Sequence, residues 1–164
     1  RYGLVGSEMC IRDRYMTDIS FYHLIKRSLE HVLPKLLEKT LEAGGRAVIF
    51  ASSEERVKEI DDLLWTYEPN SWLPHGTSKD GFTAEQPVWI TCENDNANDA
   101  AYLFLIDGIR LEQFNGYKRI FDLFDGHDED AVIDARTRWT FYKEKGVQTT
   151  YWQEDENGKW AKAK

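Results

Sequence analysis

The sequence is short of the residues that usually anchor chemistry. It has two cysteines, Cys10 and Cys92, in 164 residues. Two thiols make no disulfide framework, and neither stands at metal-ligand spacing from a second ligand, so a reducing, cytoplasmic compartment is expected. The four histidines are His23, His31, His75 and His127, none with a second ligand at i+2, i+3 or i+4 that suggests a metal site. No metal site is expected from them. No apolar run approaches the roughly 20 residues of a membrane span, so no membrane contact is expected. Positive charge is also scarce, with 21 Lys and Arg against 29 Asp and Glu and a formal net charge of -8. That balance opposes general DNA binding, which needs surplus cations to neutralise phosphates, but it permits a local basic patch. The glycine loops of nucleotide sites are missing too. The turn after the first expected strand is Lys26-Arg27-Ser28, with no Gly-x-Gly-x-x-Gly, no Walker-type loop and no Gly-x-Ser-x-Gly elbow anywhere. No cofactor and no catalytic residue is expected.

What is present suits one packed domain: 41% hydrophobic and 13% aromatic residues. The first fifteen residues, RYGLVGSEMCIRDRY, stand apart. They lack helical or strand period and lack the apolar core of a signal peptide. The stretch GLVGSEMCIRDR resembles a translated sequencing-library adapter, so residues 1–15 are expected to be a non-native or disordered leader. The single domain is then expected over 16–164, starting at Met16, with Cys92 as its one native thiol.

From there the chain alternates. Ile19 to Ile25 is aromatic and β-branched and predicts a strand. Leu29, Val32, Leu33, Leu36, Leu37, Thr40 and Leu41 recur at helical spacing, stopped by Gly44-Gly45. Pro34 within that pattern predicts either a helix beginning near it or a kink. Ala47 to Ala51 reads as a strand covered on both faces. Ser52 and Glu55 form a candidate capping box before a helix carrying Val57, Ile60, Leu63 and Leu64 and ending near Trp65. A long loop, Tyr67 to Gln86, follows. Strands are expected at Val88 to Cys92, Tyr102 to Ile106 and Arg119 to Phe124. A helix is expected between Gly126 and Gly146, acidic first and basic last. Residues Val147 to Trp152 read as an edge strand, and the tail ENGKWAKAK as frayed. Strand-helix-strand-helix order predicts an α/β fold of three layers on an open, mostly parallel sheet.

Histidines and carboxylates have ordinary readings. His23 is expected to be packed and hydrogen-bonded, and His127 to be solvated or capping. Asp122 and Asp125 are expected to be turn and helix-start residues.

Two features stand out. Trp65, Tyr67, Trp72 and Leu73 crowd the start of the long loop, stiffened by Pro69 and Pro74. They either fold back on the core or form an apolar patch for a partner, and Trp is the residue most enriched at interface hot spots. On the last helix, Val132, Ala135, Trp139 and Tyr142 form a stripe expected to face the sheet. Arg136, Thr140 and Lys143 form the neighbouring stripe. An aromatic wall beside cationic donors suits an acidic peptide with an apolar end; the alternative is a solvated charged helix face.

The run LLWTYEPNSWLPHGT (63–77) is similar to a segment of the chi subunits of bacterial DNA polymerase III. FYHL, LLEKTLEAGGRAVI, PVWIT, LFLIDG, DLFDG, the ARTRW run and the terminal GKW agree in order and spacing. The resemblance covers nearly the whole chain from Met16 and looks closest to alphaproteobacterial members. It implies an α/β sheet like those of mononucleotide-binding domains, without the phosphate loop. It implies a non-catalytic accessory subunit of the clamp-loader complex in DNA replication, counted with the DNA-directed DNA polymerase only as part of the holoenzyme. It implies two partners: a psi-like subunit, and the acidic C-terminal tail of single-stranded DNA-binding protein, with contact to DNA only through them. An accessory helicase would share the psi surface, which falls on Trp65, Trp72, Pro74 and His75. The tail site falls on Arg136, Trp139 and Thr140. Trp139 stands where the best-known members have tyrosine, and Thr140 where they have lysine; Lys143, one turn on, is the candidate replacement cation. The rival from another class is a small nucleotide-binding enzyme on the same fold, since fold alone does not set function.

Overall fold

The computed structural model describes residues 17–164, apart from 68–72, 78–79, 81–85, 95, 97, 115, 156, 158 and 163–164. The expected leader, with Cys10, and Trp72 lie outside the described residues.

The elements run β1 (Asp18–Leu24), α1 (Leu29–Glu42), β2 (Ala47–Phe50), α2 (Glu54–Thr66), β3 (Gly76–Thr77), β4 (Val88–Thr91), β5 (Tyr102–Leu105), β6 (Arg119–Asp125), α3 (Glu129–Glu144), β7 (Gln148–Glu154) and β8 (Trp160–Lys162). Among the described residues the strands form one sheet in the order β3-β4-β2-β5-β6-β1-β7-β8. Every pairing is parallel except β7 with β8. The central strands are buried on both sides, which is why AVIF and YLFL read as continuous apolar runs.

Helices cover both faces, giving three layers. Val32, Leu33 and Leu37 of α1 and Val57, Ile60 and Leu64 of α2 pack on one face. Ala135 and Tyr142 of α3 pack on the other. The β5–β6 connection carries no helix among its described residues. Leu111, Phe114 and Tyr117 on it cover the α3 face instead.

Several expectations are corrected locally. Of the two readings of Pro34, a helix start near it is overturned: α1 begins at Leu29 and Pro34 is its sixth residue. The cap of α2 is Ser53, not Ser52: its hydroxyl accepts from Arg56 N at 3.2 Å. The Ser52 amide donates instead to Asp107 Oδ2 at 2.8 Å. Gly76 and Thr77, inside the expected loop, form β3 against β4. The segment after α3 is no edge: β7 lies between β1 and β8. The tail expected to fray supplies β8, where Trp160 packs edge-on against Tyr22 at 4.8 Å.

Asp122 is not a turn residue. It sits inside β6, fully buried, and pairs with Arg138 of α3. A charged residue on the buried face of α3 is tolerated because its partner is already there.

Candidate functional site

The cationic stripe of α3 lies beside β7 and the end of β1. Asp128 caps the helix, its Oδ1 accepting from Asp130 N at 3.0 Å and Ala131 N at 3.3 Å. Ala135, Arg138 and Tyr142 point into the core. Burial pushes the Tyr142 hydroxyl up to about 12 while it accepts from the Leu111 amide. With that face fixed, Trp139 is half-buried at the flank of the helix. It meets Phe21 of β1 at 5.5 Å and Tyr151 of β7 at 5.9 Å, both edge to face.

Arg136 and Lys143 stand one turn above and below Trp139 and are exposed. Lys143 Nζ lies 5.0 Å over the Trp139 ring. Neither cation has an ion-pair partner among the described residues. Three arginines of the fold are engaged: Arg27 with Glu154, Arg56 with Asp107 and Glu59, Arg138 with Asp122. Thr140 is exposed, and its hydroxyl donates to Arg136 O at 3.1 Å. The structure thus brings Arg136, Trp139 and Lys143 to one flank of α3, with Thr140 at its outer margin.

Two residues beside this flank had another reading in the sequence. His23 is packed and hydrogen-bonded, as expected of it, but it borders the flank, with Nδ1 2.5 Å from the Tyr151 hydroxyl. Burial pushes its ring below the usual histidine range against the opposing hydrogen bond to the Gly126 backbone; the Arg136 and His127 charges lower it further and Asp125 raises it. Burial raises the Tyr151 hydroxyl and Arg136 pulls it back. The parallel β1–β7 pairing sets Phe21 beside Tyr151 and His23 beside Gln153, a relation between distant segments that no local pattern announces.

The second cluster is at the end of α2. Trp65 is 59% exposed, one of two large apolar side chains left open among the described residues. Its ring rests on His75 at 4.8 Å. His75 is buried, with Nδ1 2.7 Å from Leu73 O. Its Nε2 lies 2.9 Å from Asp61 Oδ1, within ion-pair distance but off the line of a hydrogen bond. Leu73 is buried and Pro74 half-buried. The structure joins Trp65 and His75; Trp72 lies outside the described residues.

The third feature is a cleft of about 500 Å³ lined by Leu24 to Glu30, Arg56, Ile106, Leu123 to Asp125 and His127. It lies where β1 leads to α1 on one face and the adjacent β6 leads to α3 on the other, the switch point where open α/β sheets hold ligands. Its arginines are tied up in the ion pairs above.

An open, mostly parallel sheet with helices on both faces and no glycine loop defines a three-layer α/β scaffold of the mononucleotide-binding kind without its phosphate-holding turn. The family described as DNA polymerase III chi subunit, HolC, matches residues 16–150, and this chain belongs to it. It is similar to a probable DNA polymerase III subunit chi of Rickettsia prowazekii, 29% identical over 111 residues, covering 66% of this chain and 67% of that protein. It is also similar to the DNA polymerase III subunit chi of Haemophilus influenzae, 28% identical over 64 residues, covering 39% of this chain and 44% of that one. Family membership gives the chain an accessory role in DNA replication. No described helix is long and apolar enough to cross a membrane.

Proposed function

We propose that this subunit is a non-catalytic, cytoplasmic adaptor that links the clamp-loader complex to single-stranded DNA-binding protein by gripping that protein's acidic C-terminal tail. The observation that carries the reading is the pair of exposed cations, Arg136 and Lys143, on either side of Trp139 and without an ion-pair partner among the described residues. Arg136 forms charge-assisted hydrogen bonds to tail carboxylates, and Trp139 walls the pocket for an apolar terminal side chain. Trp65, with His75 beneath it and Pro74 and Trp72 beside it in sequence, docks a psi-like subunit or an accessory helicase. DNA is reached only through these partners.

Titration of a synthetic tail peptide against wild type and Arg136→Ala tests the main reading. Affinity should fall by about 1.5–3 kcal/mol, as for a hydrogen bond to a charged group. It should also weaken with salt. Equal affinities would reject the site.

A second reading is a small nucleotide-binding enzyme, and the switch-point cleft is the observation in its favour. Against it, Arg27 and Arg56 are already held by carboxylates. A specific ligand stabilises the native state, so a rise in Tm with ATP, GTP or NAD would favour this reading, and no shift favours the adaptor.

A further inference from the structure

Side chains of β1, β7 and α3 meet beside the cationic flank of α3: His23 and Tyr151 contact each other, and Tyr151 packs on Trp139. His23, from β1, places Nδ1 2.5 Å from the Tyr151 hydroxyl of β7. The opposite edge of its ring is pressed on Gly126. A Cβ there would clash with His23 Cδ2 and Nε2. The ring therefore cannot turn away toward that loop, and its two nitrogens have fixed neighbours. Arg136, from α3, is close enough for its charge to act on both His23 and Tyr151. The remaining charged or titratable neighbours of the ring are Asp125 and His127, on the connection between β6 and α3.

This geometry ties the direction of the Tyr151 proton to the charge on His23. In the neutral ring, the proton sits on Nε2 beside the Gly126 backbone and Nδ1 accepts from the Tyr151 hydroxyl. The phenol hydrogen is then used within the protein. When the ring takes up a proton, Nδ1–H donates to the phenol oxygen. The hydroxyl hydrogen is released to point elsewhere, and a positive charge appears near Arg136.

We infer that His23 and Tyr151 form a second carboxylate-recognising unit beside this flank, which couples capture of an acidic peptide to the uptake of one proton by His23. The inference rests on the peptide-binding reading of the flank. A docked carboxylate offsets the Arg136 charge and favours imidazolium, and the freed Tyr151 hydroxyl donates to the peptide. Burial and the Arg136 charge hold the ring below the ordinary histidine range in the free protein. The complex therefore holds more protons than the separated partners, and affinity rises as pH falls from about 7.5 to 5.5. Peptide carboxylates, with ordinary values near 4, stay ionised through that range.

The test uses the whole chain and a synthetic peptide, Asp-Asp-Asp-Phe with a free C-terminus. Its affinity is followed between pH 5.5 and 7.5, and the His23 ring is titrated by NMR with and without peptide. Wild type should bind more tightly at the acid end, by at most about tenfold for each unit that the peptide raises the His23 pKa. His23→Gln should bind with a flat profile. Tyr151→Phe, which keeps the ring and its packing on Trp139, should lose the acid-side gain. His127→Gln removes a neighbouring charge that lowers the His23 ring but leaves the His23–Tyr151 pair, so it should keep an acid-side gain. If the peptide binds through Arg136 but His23→Gln keeps the wild-type pH dependence, or the His23 titration does not move with peptide, the proton coupling is overturned and the peptide site stands. If wild type does not bind the peptide, the peptide-site reading and this inference fail together.

Discussion

Asp122 and Arg138 meet as a bidentate pair inside the α3 face of the sheet, with Nε to Oδ2 at 2.7 Å and Nη2 to Oδ1 at 2.9 Å. Arg138 also reaches Gly108 O, so one guanidinium joins α3 to β6 and to the loop that replaces a helix between β5 and β6. The pair sets the rotation of α3 and therefore which residues reach its exposed flank. Replacing Arg138 with Met leaves a buried carboxylate unpaired, at a cost of about 3–5 kcal/mol. Burial already pushes the Asp122 carboxyl up, and Arg138 opposes that. Without the guanidinium the rise is unopposed. The folded variant then holds a proton that the unfolded chain has lost, so its stability falls as pH rises above the ordinary Asp value of 3.8. Urea unfolding of Arg138→Met at pH 5 and pH 8 should show the larger deficit at pH 8; equal deficits would mean that Asp122 is not the source.

Gly126 is fixed by proximity rather than by backbone angle. A methyl group there would meet the His23 ring and also Leu24 O at 2.7 Å. The backbone oxygen belongs to the end of β1 and cannot swing aside as a flexible side chain would. Gly126→Ala should cost about 1–3 kcal/mol by overpacking. The His23 to Tyr151 hydrogen bond should be disturbed with it, visible as a shift in the His23 ring resonances. An unchanged Tm would show that the loop after β6 relaxes freely.

Trp65 should behave in the opposite way. At 59% exposed it contributes little to the core, and its main contact is the face of His75. Trp65→Ala should change stability by about 1 kcal/mol or less. In a pull-down it should lose a psi-like or helicase partner by about 2 kcal/mol or more, as a truncated Trp hot spot does. A folded Trp65→Ala protein that retains those partners would remove this surface from the docking assignment.

The elements best read in the sequence are those whose signals are local. The apolar run of β2, the 3.6-residue stripe of α1 and the Gly44 stop each depend on neighbours in the chain, and each is where it was expected. The misreadings depend on partners far away. Asp122 looks like a turn residue until Arg138, sixteen positions on, is seen to share its burial. The tail looks frayed because three residues of β8 gain their order only by pairing with β7 and packing Trp160 on Tyr22. The candidate site divides the same way. Arg136, Trp139 and Lys143 are legible as stripes of one helix, whereas His23 and Tyr151 join them only through the parallel pairing of β1 with β7. The ARTRW run contained a hint: two arginines in three residues, of which one had to face the sheet.

The cationic flank of α3 can be tested by moving its charge. Thr140 is exposed, and its hydroxyl is used only on Arg136 O of its own helix. Thr140→Lys therefore places a lysine on that surface without disturbing a tertiary contact, and lysine is the better helix former. Affinity for an acidic tail peptide should rise by about 0.2–1 kcal/mol, the range of exposed ion pairs, and the gain should vanish in high salt. Lys143→Ala should lose a similar amount, because it removes a cation and its contact with the Trp139 face. The double change Thr140→Lys, Lys143→Ala should then return close to wild-type affinity, since the peptide meets one lysine beside Arg136 in either case. Isothermal titration of the four proteins closes the cycle. If Thr140→Lys gains nothing while Lys143→Ala loses nothing, the lysines lie outside the peptide's reach and recognition falls to Arg136 and Trp139 alone.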